Sequence, residues 1–277
     1  MKIVSFNIRG SGMVEKRREI RRMIVEKSPN VFCIQETKLE VVDDVLCRSL
    51  WRSEEVDYSF KSSVGASGGI LTMWNPSVVN IWLTMILSHS LIVIGKFLVD
   101  NVEFGLANIY APCDNRGRQD LWHALGGMLQ RHNSIAWCVL GDFNAVHSNV
   151  ERRGRSVTNN YDDFVPFNHF IEGNSLVDLP LYGRNFTWYR GDGFSMSRLD
   201  RFLLSEPWFL LFPNCIQTAL PRGLSDHCPI VLSIDDQNWG PRPLRMLKCW
   251  SDIPGYSEFV KEKWQSIHVC WVELICP

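Results

Sequence analysis

At 277 residues, 45% hydrophobic and 12% aromatic, the chain carries enough apolar surface for one large core or two small ones, which excludes a disordered or fibrous protein. Its formal net charge of -1 excludes bulk attraction to nucleic acid, so any phosphate-binding surface must be local. No long uncharged apolar window occurs, and the opening MKIVSFNIRG is charged where a signal peptide is apolar, so the expectation is a soluble, intracellular protein that is neither secreted nor membrane-bound.

In chain order, residues 2–6 (KIVSF) read as a strand, 14–27 as an amphipathic helix and 31–35 (VFCIQ) as a second buried strand. Ile20, Met23 and Ile24 mark the helix's buried stripe, which leaves Lys16, Arg17, Arg18, Arg21 and Arg22 as a solvated face. Further strands are expected at 69–74, 91–99, 103–111 and 136–142, with a helix centred on LWHALGGML between the last two. Residues 161–174 read as helical, followed by strand-like runs at 176–181, 185–190 and 197–205, a turn at 206–212 and a strand at 228–234. This alternation suggests an α/β fold, a four-layered sandwich of two mixed β-sheets flanked by helices. From 236 the composition changes: QNWGPRPLR reads as a linker, one or two helical turns follow at GYSEFVKEKWQSI, and VCWVELICP has no evident partner. Domain expectations are therefore 1–235 and a linker with extension at 236–277. The nine scattered cysteines form no CxxC pair, and no histidine has zinc-ligand spacing, which points to reduced thiols.

Polar residues stand where these apolar runs end. Asn7 follows KIVSF, Glu36 follows VFCIQ, Asp142 and Asn144 follow AWCVLG, and Asp226 and His227 precede CPIVL. Each alone has a structural explanation as a turn or a helix start. Together they assemble carboxylate and amide oxygens of the kind Mg2+ takes, with positions left for water and phosphate. A histidine beside them suits a phosphoryl oxygen or proton transfer, and Asp200 in SRLDRF is placed to fix its tautomer. The chemistry indicated is metal-assisted attack of water on a phosphate ester.

The motifs SFNIRG, IQETK, IYAP, GDFNAV, SRLDRFLLS and SDHCPIVL, in this order over about residues 1–235, resemble the endonuclease/exonuclease/phosphatase superfamily, which includes deoxyribonuclease I and the apurinic/apyrimidinic endonucleases. GGILTMWNP, ERRGR, LVDLPL, GRNFTW and NWGPRP look most like the endonuclease domain of plant LINE-type non-LTR retrotransposons. The resemblance implies that Asn7, Glu36 and Asp226 hold Mg2+ (or Mn2+), with Glu36 the direct ligand. It implies that Tyr110 touches the scissile phosphate, Asp142 orients or deprotonates water, Asn144 holds the phosphate and Asp142, His227 binds a phosphoryl oxygen and Asp200 supports His227. Arg9, Lys38, Arg152, Arg153 and Arg155, with Phe186, Thr187 and Trp188 of a hairpin, are the residues expected to meet DNA. The repair endonucleases carry an acid where this chain has Arg9. A monomer acting on DNA in the nucleus is implied, with residues 236–277 a truncated lead into a missing reverse transcriptase. Two other readings accompany this DNA-nicking one: a phosphoesterase for small or lipid substrates, and a non-catalytic remnant that binds nucleic acid or a partner.

Overall fold

The computed structural model describes residues 1–65, 67–154, 164–235 and 254–266. Two compact units form, Met1–Asp236 and Gln237–Pro277. The first begins with β1 (Lys2–Asn7), α1 (Val14–Lys27), β2 (Val31–Gln35), α2 (Asp44–Trp51), β3 (Asp57–Val64) and β4 (Ser67–Trp74). It continues through β5 (Val79–Leu87), β6 (Ser90–Phe97), β7 (Val102–Tyr110), α3 (Asn115–Arg131) and β8 (Ala136–Asp142). Then come a 3-10 turn (Asn149–Glu151), β9 (Arg152–Arg153), α4 (Val165–Gly173), β10 (Leu176–Asp178), β11 (Leu181–Tyr182), β12 (Trp188–Tyr189) and β13 (Met196–Ser197). The unit closes with β14 (Asp200–Ser205), α5 (Glu206–Leu211), β15 (Cys215–Ala219) and β16 (Ile230–Ile234). In the second unit one helix is described, α6 (Tyr256–Ser266).

The strands form two large mixed sheets, ordered β11-β15-β16-β1-β2-β4-β3 and β10-β14-β8-β7-β6-β5, and a small sheet β12-β13-β9. The large sheets bury their facing sides together: Ile3, Val31 and Leu232 of the first share one apolar cluster with Val93, Phe104 and Leu140 of the second. Ile20 and Met23 of α1 and Leu50 of α2 cover the outer face of the first sheet. Leu125 of α3 and Phe170 of α4 cover that of the second. Four layers result, as expected, and each large apolar side chain so buried contributes about 1.5–3 kcal/mol. The helices begin where the sequence supplies caps: Asp43 accepts from the Leu46 N–H ahead of α2, and Asp114 from the Gly117 N–H ahead of α3.

Several boundaries differ from expectation for identifiable reasons. Residues 176–181 are not one strand; they split at Pro180, which cannot donate to a ladder, so β10 joins one large sheet and β11 the other. Within the turn expected at 206–212, Glu206–Leu211 form the short helix α5, opened by Pro207 in its first turn. Helix α2 and strands β3, β5 and β15 have no counterpart in the sequence pattern. β3 and β5 are sheet edges, and a register shift between Ile81 and Leu83 leaves Trp82, Leu83 and Ile86 of β5 exposed. α6, at 11 residues, exceeds one or two turns. The expected linker at 236–245 and the segment 269–277 lie outside the described residues, as does the start of the helix expected from 161. Among the described residues no helix is long and apolar enough to cross a membrane, and Cys33, Cys47, Cys113, Cys138, Cys215 and Cys228 are free thiols.

Candidate active site

Strand register brings the predicted polar residues together. Asp200 of β14 lies opposite Asp142 of β8, and Asp142 lies opposite Tyr110 of β7, so three of them form one row at the end of a sheet. Asn7 and Gln35 end β1 and β2 in register, and Glu36 is the next residue. Gly141 makes the row possible: it has φ 128°, and a Cβ there would lie 2.1 Å from the Ile109 carbonyl oxygen.

A chain of hydrogen bonds fixes this row. Asn7 Nδ2 donates to Asp142 Oδ2 at 2.9 Å, while Asn7 Oδ1 accepts the Arg9 N–H at 3.0 Å. The amide expected to hold the metal region thus first holds Asp142. The other Asp142 oxygen accepts the Asn144 N–H at 3.0 Å, and Asn144 Nδ2 donates to the Ala111 carbonyl at 2.8 Å. His227 Nδ1 lies 2.8 Å from Asp200 Oδ2, and its Nε2 lies 3.8 Å from Asp142 Oδ2. Thr187 Oγ1 accepts the N–H groups of Leu199 and Asp200, both at 3.0 Å. The His227 loop is tied to β1 by Ser225 Oγ, which donates to the Asn7 carbonyl at 2.7 Å, and to α1 by Glu19, which accepts the Leu224 N–H.

Charges follow from this burial. Desolvation raises the Asp142 carboxyl, His227 opposes the rise and Asp200 adds to it, and the result is pushed up to about 6. Burial would lower His227, but the Asp200 and Asp142 charges outweigh it and push the imidazole up to about 9. At neutral pH the row therefore presents a carboxylate beside an imidazolium. Burial, then the charges of Glu36 and Asp142, holds the Tyr110 phenol protonated well above its usual range.

Asp226 differs from its buried neighbours. Its Oδ2 accepts from Trp188 Nε1 at 3.1 Å and pairs with Arg9 Nη1. Trp188 also bridges to His227 in antiparallel fashion, and the Tyr189 N–H donates to the Asp226 carbonyl, so β12 is stitched to the loop that carries His227. A cavity of about 750 Å³ opens here, lined by Glu36, Tyr110, Asp142, Asn144, Asp226 and His227 together with Arg9, Arg118, Arg152, Arg153 and Arg190. The arginines give the cavity a local basic lining that a net charge of -1 does not reveal, and Arg118 and Arg190 have no motif in the sequence to mark them.

Thr187 and Lys16 depart from expectation. Thr187 is fully buried and holds Leu199 and Asp200, so it presents nothing to DNA. Phe186 is half-buried, its carbonyl accepting from the Tyr189 hydroxyl, while Trp188 lines the cavity. Lys38 pairs with Glu36 at 3.1 Å. Lys16 is buried rather than solvated, its Nζ donating to the Ile8 and Arg9 carbonyls at 2.7 and 2.8 Å. Arg155 lies outside the described residues. Sequence reasoning also missed the buried ion cluster behind β9: Arg201, 0% exposed, pairs with Glu151 at 2.5 Å and Asp178 at 2.6 Å, and Arg198 joins both acids.

Two donor sets bear on a divalent ion. Asp142, Asp200 and His227 bring ligand atoms within 4.8 Å of one another, a cluster of the kind that can hold a metal. Asp200 engages His227 Nδ1 at 2.8 Å, so this carboxylate already orients the ring and the trio also suits proton and charge handling. Glu36 faces the cavity, and Asp226 Oδ1 is buried with no hydrogen-bond partner among the described residues. Hard carboxylate oxygens of this kind fit a hard divalent cation.

The sequence profile described as the Endonuclease/Exonuclease/phosphatase family matches residues 4–227. The chain is 22% identical to an exodeoxyribonuclease of Bacillus subtilis over 259 residues, covering 85% of this chain and all of that protein. Its fold is similar to that of an AP endonuclease from Archaeoglobus fulgidus (TM-score 0.66, 18% identity, 85% and 99% of the two chains). It is also similar to the endonuclease domain of TRAS1, a telomere-specific non-LTR retrotransposon (TM-score 0.63, 13% identity, 85% and 99%).

Proposed function

The chain belongs to the endonuclease/exonuclease/phosphatase family, and from that premise we propose that it is a magnesium-dependent phosphodiesterase that nicks one strand of DNA, as in retrotransposon target-site cleavage. The observation that carries this reading is the carboxylate of Asp142 and the imidazolium of His227, 3.8 Å apart on the wall of an arginine-lined cavity.

Asp142, anionic above about 6, orients a water and takes its proton. Asn7 and Asn144 keep both its oxygens in place. His227 binds a non-bridging phosphoryl oxygen and opposes the charge that grows there, with Asp200 holding the imidazolium from behind. Tyr110, kept protonated, donates its phenol proton to the same phosphate. Glu36 and Asp226 would hold Mg2+, which would add positive charge beside the phosphate and the leaving oxygen. Arg152, Arg153, Arg118 and Arg190 hold flanking phosphates, which suits a polymer substrate.

Plasmid relaxation tests the reading. The wild-type protein should convert supercoiled plasmid to the nicked form with Mg2+ and leave it intact with chelator. Turnover of small phosphoesters with no nicking would replace DNA as substrate, and inertness toward both would favour a binding remnant.

A further inference from the structure

We propose that Arg9 is a fixed cation of the cleft: it clamps one oxygen of Asp226 and presents its remaining N–H groups to the scissile phosphate, raising DNA affinity while weakening divalent-ion binding. This rests on the reading above and assigns a role that the metal alone does not fill.

The placement of Arg9 is built from three sides. Its backbone takes the left-handed conformation (φ 52°), uncommon for a residue with a branched or long side chain. Its N–H donates to Asn7 Oδ1 and its carbonyl accepts from buried Lys16 Nζ, so the strand end that positions Asp142 also positions Arg9. Its side chain is 59% exposed and lines the same cavity as His227, while the Asp226 side chain that it pairs with is only 17% exposed. A guanidinium has five N–H donors in a planar fork, and Asp226 engages Nη1, so donors remain on the exposed part of the group.

The charge balance at Asp226 follows. Oδ2 carries Arg9 and the Trp188 N–H, while Oδ1 is buried with no hydrogen-bond partner among the described residues, which leaves one carboxylate oxygen unsatisfied. A divalent cation held by Glu36 and Asp226 would feel the Arg9 charge at close range, which would weaken its binding. Phosphate is attracted by the same charge, and in this position Arg9 supplies what a second ion would otherwise bring to the substrate oxygens.

Arg9→Asn removes the charge and keeps a side chain that tolerates the left-handed backbone. Arg9→Lys keeps the charge as a control, and thermal unfolding verifies that both variants fold. Two metal-free or substrate-free readouts apply. DNA binding in chelator, measured against salt, should weaken in Arg9→Asn, with the salt slope falling by about one, and should be retained in Arg9→Lys. Mn2+ titration by calorimetry without DNA should show Arg9→Asn binding about three- to thirtyfold tighter than wild type. An unchanged salt slope, or Mn2+ affinity that stays the same or falls, overturns the proposal. A wild-type protein that neither binds nor nicks DNA overturns the nuclease reading instead, whatever the Arg9 variants do.

Discussion

Asp200→Asn separates charge from shape behind the site. The carboxylate is 2% exposed, does not line the cavity, and meets His227 Nδ1 at 2.8 Å. An amide of the same size preserves packing but offers the imidazolium a neutral acceptor. Hydrogen bonds to charged groups contribute about 1.5–3 kcal/mol against about 0.5–1.5 for neutral pairs, so the exchange removes about 1–2 kcal/mol of support for the charged ring. At about 1.4 kcal/mol per decade, the rate should fall about five- to thirtyfold. Asp200→Ala, which also leaves a cavity and the ring proton unsatisfied, should cost about a hundredfold or more. The assay is single-turnover nicking of supercoiled plasmid at saturating enzyme, paired with DNA binding in chelator. Binding should change much less than rate, because Asp200 reaches DNA only through His227. The pH profile adds a signature: the wild-type imidazolium, pushed up to about 9, is lost as pH rises through that value, and the loss moves to lower pH in Asp200→Asn. A variant rate within about twofold of wild type, or a loss shared equally by DNA affinity, would refute the reasoning.

Three further outcomes are expected. Glu151→Ala leaves fully buried Arg201 with Asp178 as its one carboxylate partner, which should cost about 3 kcal/mol and about 6–12 °C in melting temperature. Burial raises the Glu151 carboxyl, but hydrogen bonds and charge from Arg201 more than offset this and lower it in the fold. Its contribution is therefore complete above the unfolded value near 4.5 and vanishes as pH falls through the lower folded value, so the wild-type advantage over Glu151→Gln should shrink on acidification; a gap that is constant with pH would contradict the pairing. Gly141→Ala, with its Cβ 2.1 Å from the Ile109 carbonyl, should destabilise by more than about 3 kcal/mol in a chemical denaturation experiment, while Gly191→Ala, with open space around it, should stay within about 0.5 kcal/mol. Arg152→Ala/Arg153→Ala should lower the salt slope of DNA binding by about one for each phosphate no longer neutralised, whereas an unchanged slope would place the DNA elsewhere.

Sequence periodicity reveals the strands that are apolar on both faces. β1, β2 and β8 are buried along their length, so their hydrophobic runs and the polar residues that stop them are visible without a structure. β3 and β5 are edge strands with mixed exposure, and a bulge scrambles the alternation of β5, which removes the signal. The polar row is legible because each member stands at or beside the end of a strand. Its supports are not: Trp188 meets Asp226 across 38 residues, Arg201 meets Glu151 across 50, and Arg9 meets Asp226 across 217. Thr187 shows the limit of a period-two pattern, which says that neighbours face opposite ways but not which face is inside. The burial of Lys16 against the Ile8 and Arg9 carbonyls has the same origin, since helix periodicity cannot foresee two carbonyl oxygens at a strand end.

The central claim is that Asp142 and His227 act together on one phosphodiester. It is tested most directly by single-turnover plasmid nicking in Mg2+ with the wild type, Asp142→Ala, His227→Ala and the double variant, each verified as folded. Both single variants should lose about two or more decades of rate and retain DNA binding in chelator, and the double variant should be little worse than either, as expected of groups that work as a unit. Nicking by either pure single variant at near wild-type rate would contradict the assignment.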